Sequence, residues 1–230
     1  MATPKKLTLI GYGKMGKLID ALAPEYGFEV ASRINSSSGD RSFPGVDVAI
    51  DFSTPESAPA NLKALADARV PSVCGTTGWL EQLPIVSKAF KTAGVGLVWS
   101  PNFSVGVAVF RRISALASEL LKNQPEYGCW AWEIHHSTKK DAPSGTLLQL
   151  VETMRQQGYR GAIDVTASRA GKHPGTHEIG FDSAADTITL RHSARNREGF
   201  ARGALKSAAW IIGRTGIHTF DDVLFGGPSS

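Results

Sequence analysis

The segment that most constrains the fold lies near the amino terminus, where an apolar stretch runs directly into a glycine-rich motif. Lys5–Ile10 reads as a strand, and residues 11–16 follow it as G-Y-G-K-M-G, a G-x-G-x-x-G pattern. A helical repeat of apolar residues comes next, and residues 28–32 read as a second strand. In this context Gly11 permits a tight turn, Gly13 admits a pyrophosphate and Gly16 allows close helix packing. The pattern predicts a dinucleotide-binding unit; a purely structural glycine turn is the alternative.

The end of the second predicted strand bears on the choice of cofactor. An acidic residue about 20 positions after the motif normally binds the ribose hydroxyls of NAD. Here Ser32 and Arg33 stand in that place. A serine does not repel a 2′-phosphate and an arginine attracts one, so the sequence favours NADPH over NADH. The alternative is that Arg33 is an ordinary surface residue.

The rest of the first hundred residues alternates strands with helices. Strands are predicted at residues 46–52, 70–74 and 95–99, each separated from the next by a helical segment. This alternation predicts a Rossmann-like doubly wound parallel sheet of the α/β class. Small residues at 75–78 follow the strand at 70–74, where they fit a cofactor crevice; a simple turn is the alternative.

The pattern changes after Ser104. Residues 105–121 read as one long helix with Val109, Ile113, Leu116 and Leu120 on a single face. Strands are then predicted at 127–134, 163–168, 177–181 and 187–192, with alternation typical of a sheet covered on one face. A helix at 200–212 is expected to return to the first domain. We therefore expect a dinucleotide-binding domain at 1–104 and 197–230, and a smaller α+β domain with a mixed sheet at 105–196.

A dense polar run, E-I-H-H-S-T-K-K-D-A-P-S-G-T at residues 133–146, links a predicted strand to a predicted helix. Pro143 suits a first helical turn, and Ser144 and Thr146 can cap it. Gly145 lets a ligand approach the backbone, where free N–H groups and the helix dipole favour a carboxylate or phosphate.

The same run brings proton donors to that helix start. His135, His136 and Lys139 lie a few residues before it, and imidazole titrates near neutral pH. The run therefore indicates an anion-binding site with acid–base groups. A solvated polar loop beside one capped helix is the alternative.

Charge and composition limit the other classes of function. The net charge is +4, but the Lys and Arg residues are scattered, so no nucleic-acid interface is expected and an anionic ligand explains the surplus equally well. Cys74 and Cys129 are the only cysteines; neither has metal-ligand spacing, so no metal site or disulfide is expected. Without a signal peptide or long apolar span, we expect a cytoplasmic protein with no membrane contact.

Taken together, the motifs G-Y-G-K-M-G, D-F-S-T-P-E, G-T-T-G, S-P-N-F-S-V-G-V and the polar run closely resemble dihydrodipicolinate reductases, in order and over almost the whole chain. The resemblance implies a nicotinamide-dependent reductase of the diaminopimelate route to lysine, acting on 4-hydroxy-tetrahydrodipicolinate to give tetrahydrodipicolinate. It also implies that the second domain binds this cyclic dicarboxylate and builds a homotetramer.

The resemblance also implies roles for individual residues. His135 and Lys139 match the catalytic proton-handling pair. His136, Gly145 and Thr146 match substrate-binding positions, and we expect the Ser144 hydroxyl to assist them. The cofactor contacts are expected at Gly11, Tyr12, Gly13, Lys14, Met15, Gly16, Arg33, Gly75, Thr76, Thr77, Ser100, Pro101, Asn102 and Phe103. Lys14 stands where arginine is frequent in the family.

Two other readings fit parts of the pattern. One is another dinucleotide-dependent dehydrogenase of amino-acid metabolism, such as an aspartate or diaminopimelate dehydrogenase, which would release ammonia. The other is a redox-sensing regulator that binds NAD(H) without chemistry. The proton donors His135 and Lys139, and the lack of a helix-turn-helix arm, count against a regulator.

Overall fold

The computed structural model describes residues 3–35 and 42–226. The chain divides into two compact units, Met1–Ser104 with Glu198–Ser230, and Val105–Arg197. The strands are β1 (Lys5–Ile10), β2 (Phe28–Ile34), β3 (Val48–Asp51), β4 (Ser72–Cys74), β5 (Gly96–Trp99), β6 (Gly128–His135), β7 (Ile163–Arg169), β8 (Thr176–Asp182), β9 (Thr187–Ser193) and β10 (Gly216–Thr219).

Seven α-helices connect or follow these strands within the described residues, with short 3-10 helices at Ala23–Tyr26 and Leu80–Gln82. The α-helices are α1 (Lys14–Leu22), α2 (Ala58–Asp67), α3 (Leu83–Ala93), α4 (Val105–Leu121), α5 (Gly145–Gln156), α6 (Glu198–Ile211) and α7 (Phe220–Phe225). None of the helices in this part of the chain is both long and apolar enough to cross a membrane.

The first unit contains a six-stranded sheet in the order β10-β5-β4-β3-β1-β2, and each neighbouring pair is parallel. The chain passes from β1 outward to β2 and then returns to the other side of β1 to form β3. Ligands of open α/β sheets bind at such a reversal, beyond the carboxyl ends of the strands. The predicted doubly wound sheet is confirmed. Its sixth strand, β10, was not predicted, because the sequence G-I-H-T contains one apolar side chain and no apolar run.

Burial on both faces explains the apolar strands of this sheet. Leu7 and Leu9 of β1 are fully buried, as are the residues of β3 and β4. Parallel strands covered by helices on both sides need such continuous apolar runs. On α6, a side chain at Gly203 would place its Cβ 1.8 Å from the carbonyl oxygen of Phe103, so the helix approaches this segment only because a glycine is there.

The second unit contains a mixed sheet, as predicted, and its strand order is β7-β6-β8-β9. β6 pairs in parallel with β7 and antiparallel with β8, and β8 pairs antiparallel with β9. One face forms an apolar core with α4 and α5, built from residues that include Ala131, Ile179, Phe181, Leu147 and Leu150. Every second residue of β6 points into this core, and the alternate residues Trp130 and Trp132 lie on the opposite face.

Helix α4 has the predicted bounds but turns a different face to the core. Its buried residues are Val107, Ala108, Phe110, Ser114 and Ser118. The four residues that define the predicted apolar face are instead 38–68% exposed: Val109, Ile113, Leu116 and Leu120. Small side chains let α4 pack closely on its neighbours, and periodicity alone does not distinguish a core face from an outer apolar face.

Candidate active site

The glycine motif of the first unit has the local geometry of a dinucleotide loop. Gly11 has φ of +87°, and a Cβ there would lie 2.1 Å from the carbonyl oxygen of Phe52. A Cβ on Gly16 would lie 2.3 Å from the Gly11 oxygen. Gly13 is the N-cap of α1, has no side chain to cap the helix, and faces open space. The first turn of α1 is therefore accessible to an anion.

A cavity of about 400 Å³ lies over this helix start and brings two predicted groups of cofactor residues together. Gly13, Lys14 and Met15 form one side of it, and Gly75, Thr76 and Thr77 after β4 form another. A Cβ on Gly75 would meet the ring of Phe52 at 2.2 Å, so glycine is required there.

The hydroxyl of Thr76 points into the protein and not into the cavity. It donates to Asp51 Oδ1 at 2.7 Å and accepts from the Ser53 backbone N–H at 2.8 Å. Asp51 is fully buried, and its other oxygen accepts from the Asn61 side-chain amide at 2.9 Å. Thr76 thus joins the ends of β3 and β4, and its backbone, not its hydroxyl, is the part left to face a ligand.

The predicted cofactor segment after β5 has a different environment. The Ser100 hydroxyl donates to the Asn102 carbonyl at 2.7 Å, and the Asn102 side chain accepts from the Ser104 N–H at 2.8 Å. Phe103 is 1% exposed, with its ring centroid 5.1 Å from that of Phe220. Neither these residues nor Pro101 are among the described residues that line the 400 Å³ cavity.

Arg33 is paired within its own unit. Its Nε and Nη2 donate to the two carboxylate oxygens of Asp20 at 2.6 and 2.8 Å. The hydroxyl of Tyr12 donates to the same carboxylate, and the Arg33 guanidinium lies 5.8 Å from the Tyr12 ring centroid. Hydrogen bonding from Arg33 lowers the pKa of Asp20. Ser32 meanwhile shares a 2.8 Å hydrogen bond with Thr8 on β1.

In the second unit, the polar run lies between β6 and α5. Ser144 is the N-cap of α5, and its hydroxyl accepts from the Leu147 N–H at 3.2 Å. Pro143 precedes the cap, so its predicted place in the first helical turn was wrong. Thr146 lies in that first turn, and Ser144, not Thr146, is the capping residue. Ser144 is 2% exposed, because its hydroxyl and its N–H both face the protein.

Lys139 pairs with a carboxylate in the loop four residues before the start of α5. Lys139 Nζ lies 2.7 and 2.8 Å from the two oxygens of Asp141. The pKa of Asp141 is lowered, chiefly by this hydrogen bond and also by backbone N–H groups that include that of Gly145. Nearby, His136 Nδ1 lies 2.8 Å from the Thr138 hydroxyl. The structure therefore holds Lys139 against an anion in the loop just before the start of α5.

Behind these groups lies a buried carboxylate that the sequence analysis did not single out. Glu133 is 0% exposed; its Oε1 accepts from the Ser144 N–H at 2.9 Å and from Arg169 Nη2 at 2.8 Å. Its Oε2 accepts from the Ser144 hydroxyl and lies 3.6 Å from His135 Nδ1 and 3.3 Å from His177 Nε2. A signal was present: Glu133 continues the inward alternation of Cys129 and Ala131, where an acid is unusual.

The charges of this cluster follow from its burial. Burial lowers the pKa of His135 even though Glu133 opposes that shift. Burial likewise lowers the pKa of His177 to about 4. Burial disfavours the Glu133 carboxylate, but hydrogen bonds from Ser144 and Arg169 outweigh it, so the net pKa of Glu133 is lowered. The cluster therefore contains an ionised acid beside neutral imidazoles.

One carboxylate and two imidazoles offer ligand atoms within 4.8 Å of one another here, namely those of Glu133, His135 and His177. The two oxygens of Glu133 already accept hydrogen bonds, and the Arg169 guanidinium lies 2.8 Å from one of them. A resident cation would repel this guanidinium. The arrangement fits a hydrogen-bonded acid–base cluster better than a metal site.

Comparison with known proteins agrees with this architecture. The family profile "Dihydrodipicolinate reductase, N-terminus" matches residues 5–103, and "Dihydrodipicolinate reductase, C-terminus" matches residues 106–224. The chain is 32% identical to the 4-hydroxy-tetrahydrodipicolinate reductase of Christiangramia forsetii, over 95% of this chain and 97% of that protein. It is 35% identical to the enzyme of the same name from Wolbachia sp. subsp. Drosophila simulans, over 84% and 79%.

Solved structures show the same fold. A dipicolinate-bound dihydrodipicolinate reductase from Paenisporosarcina sp. TG-14 superposes with a TM-score of 0.77 at 21% identity, covering 94% of this chain and 97% of that one. A probable dehydrogenase from Thermotoga maritima gives a TM-score of 0.60 at 11% identity, covering 96% and 93%. Both halves of the chain match the same family, and the resemblance found in the motifs is confirmed: this chain belongs to the dihydrodipicolinate reductase family.

Proposed function

We propose that this protein is an NAD(P)H-dependent reductase of 4-hydroxy-tetrahydrodipicolinate that forms tetrahydrodipicolinate for lysine biosynthesis. The observation that carries this proposal within the second unit is the ion pair of Lys139 Nζ with a carboxylate that lies four residues before Gly145, the first residue of α5. In the ligand-free chain that carboxylate belongs to Asp141, whose side chain is 56% exposed. A substrate carboxylate has the same charge and shape and is able to replace it.

The residues of the first unit fit a nicotinamide dinucleotide. Gly11 and Gly16 have no room for a side chain, and Gly13 leaves the first turn of α1 open toward the cavity. Lys14, at that first turn, adds positive charge near the place of a pyrophosphate. When bound to these residues, a reduced nicotinamide would supply the hydride of the reaction.

We assign substrate binding in the second unit to Gly145, Thr146 and His136. The N–H groups at the start of α5 bind one carboxylate of the cyclic dicarboxylate, where the helix dipole adds to the attraction. The expected contribution of the Ser144 hydroxyl is replaced by an indirect one. Because that hydroxyl donates to Glu133 and accepts from Leu147, it holds the helix start in place and leaves ligand contact to Gly145 and Thr146.

Lys139 and His135 are the proton-handling groups of the proposed reaction. Loss of the 4-hydroxyl group as water leaves a conjugated ring, and negative charge would develop toward its ring nitrogen as the ring receives the hydride. The Lys139 ammonium stabilises this charge and donates the proton, with His135 as its partner. A positioned general acid contributes about a hundredfold to ten-thousandfold to the rate.

The decisive experiment measures steady-state reduction of freshly prepared 4-hydroxy-tetrahydrodipicolinate with NADPH and with NADH. We expect turnover with a reduced nicotinamide, and no oxidation of aspartate or diaminopimelate with NADP. Amino-acid oxidation with ammonia release, or cofactor binding without reduction, would contradict the assignment.

We infer that NADPH is the better cofactor, since Ser32 replaces an acid and Arg33 carries the positive charge beside it. Arg33 is already paired with Asp20. A 2′-phosphate must therefore compete with the Asp20 carboxylate for the guanidinium. The ratio of kcat/KM for NADPH to that for NADH measures the preference directly.

We also infer a homotetramer, which the family resemblance implies. A surface that suits a second copy of the chain is the exposed stripe of α4. Val109, Ile113, Leu116 and Leu120 follow the alternating three- and four-residue spacing of a helix–helix seam.

Sedimentation of the wild type and of Ile113→Glu tests this surface. We expect the variant to dissociate, whereas Ile85→Glu, at a 65% exposed isoleucine of α3, keeps the wild-type mass. An unchanged mass for Ile113→Glu would show that the stripe lies outside the assembly.

A further inference from the structure

The buried carboxylate of Glu133 contacts two parts of the proposed active site, the start of α5 and the imidazole of His135. On one side it accepts both the N–H and the hydroxyl of Ser144, the residue that starts α5. On the other side its Oε2 faces His135 Nδ1 at 3.6 Å. Both contacts arise because Glu133 lies on the helix-covered face of β6, two residues before His135 on the same face.

The imidazole of His135 is confined on two sides. Its Nδ1 is buried and has no hydrogen-bond partner among the described residues. The carboxylate oxygen Oε2 of Glu133 lies 3.6 Å from this nitrogen. Its Nε2 faces Gly175, where a Cβ would lie 2.9 Å away. The ring is therefore placed with Nδ1 toward the acid, and a shift of a few tenths of an ångström makes a hydrogen bond.

The other groups that face His135 make Glu133 the important charge. A positive charge on the His135 imidazole is disfavoured by Lys139, Arg169 and His136. His177 is neutral, and the Glu133 carboxylate favours the positive charge. Hydrogen bonds from Ser144 and from Arg169 keep Glu133 ionised. A carboxylate that directs Nδ1–H and stabilises the imidazolium is the orienting element of many acid–base pairs.

We propose that Glu133 is the positioning residue of this active site: it fixes His135 in the Nδ1–H tautomer and also anchors the turn of α5 that binds the substrate carboxylate. The proposal rests on the reductase function given above and extends it to a residue that touches neither substrate nor cofactor. One side chain thereby fixes the position of the substrate-binding helix start at Gly145 relative to the proton-handling imidazole of His135.

Glu133→Gln tests the first part. The substitution keeps the size of the side chain and removes the charge. We expect kcat to fall about tenfold to a hundredfold, in line with other supporting residues of active sites. We also expect the alkaline limb of the pH–rate profile to move to lower pH, because the imidazolium loses its stabilising anion. In ¹⁵N-histidine NMR, the His135 signals, assigned with a His135→Asn variant, should lose the pure Nδ1–H pattern.

Ser144→Ala is the matched variant that separates the two contacts of Glu133. It removes the hydroxyl but leaves Oε2 facing His135. We expect weaker binding of pyridine-2,6-dicarboxylate, used as an unreactive probe, with the His135 tautomer unchanged. Glu133→Gln should alter both measurements.

Binding of NADPH to the first unit, together with circular dichroism, reports whether each variant is folded. A folded Glu133→Gln enzyme with wild-type kcat, pH profile and His135 tautomer would overturn the proposal. A wild-type protein that does not reduce 4-hydroxy-tetrahydrodipicolinate would instead overturn the proposed function. If Glu133→Gln does not fold, the His135 tautomer in the wild type decides: an Nε2–H ring contradicts the proposal.

Discussion

Lys139 Nζ lies 2.7 and 2.8 Å from the two carboxylate oxygens of Asp141, so the amine proposed as proton donor is held by an acid two residues away. The Lys139 side chain is 24% exposed and that of Asp141 is 56% exposed. An ion pair this close to solvent is weak, typically about 0–1 kcal/mol. A dicarboxylate ligand can therefore displace Asp141 at little cost.

Lys139→Ala is expected to lower kcat about a hundredfold to ten-thousandfold, since it removes the general acid. Lys140→Ala is the matched control, because Lys140 is exposed and lies next in the chain. We expect the control to stay close to the wild type in steady-state kinetics. A Lys139→Ala enzyme with wild-type kcat would exclude its proposed role.

Asp141→Asn should strengthen dicarboxylate binding. The substitution frees Lys139 from a competing anion, which corresponds to about a two- to fivefold lower Kd for pyridine-2,6-dicarboxylate. Isothermal titration calorimetry of the wild type and the variant measures the change. Weaker binding in Asp141→Asn would mean that Asp141 orients Lys139 for the ligand and does not compete with it.

Gly175→Ala should damage both activity and stability. Gly175 has φ of +137°, and its added Cβ would lie 2.9 Å from His135 Nε2. We expect a loss of about 1–3 kcal/mol in the free energy of unfolding and a lower kcat, because the ring must move. Gly171→Ala is the control in the same loop: its φ is +51° but nothing lies within 4 Å of the Cβ. Urea unfolding and kinetics should show a stability loss without a comparable kcat loss in Gly171→Ala.

Asp20 and Arg33 offer a paired test of cofactor preference. Asp20→Asn removes the negative charge that pairs with Arg33, so kcat/KM for NADPH should rise relative to that for NADH. Arg33→Ala should lower the same ratio, since the attraction for a 2′-phosphate is lost. If both variants keep the wild-type ratio, the preference is set elsewhere in the first unit.

Acid should destabilise the second unit through His177. Its pKa in the folded protein is lowered by burial to about 4, from an ordinary value near 6.5. The unfolded chain thus binds the proton first, and the free energy of unfolding falls as the pH drops from about 6.5 to about 4. The full difference between these two pKa values, about 2.5, corresponds to about 3 kcal/mol. Denaturant unfolding across this range should show a smaller pH dependence in His177→Gln than in the wild type.

Local sequence determined the parts of the protein that depend on neighbouring residues. The strand–glycine loop–helix unit at residues 5–22 was predictable because its strand, turn and helix signals are contiguous. The start of α5 was predictable to within one residue, since Ser144 is an efficient N-cap and Gly145 follows it. The motifs also identified the family, because their residues and their order can be read from the sequence without any knowledge of contacts.

Tertiary structure alone decided which distant residues join these local units. Arg169 and His177 reach Glu133 because β7 and β8 flank β6, and strand pairing over 36 and 44 residues leaves no periodic trace in the sequence. The exposed face of α4 and the Arg33–Asp20 pair were unpredictable for the same reason. Periodicity shows that a face is apolar, and charge shows that a residue attracts an anion, but only the packed chain determines what each one contacts.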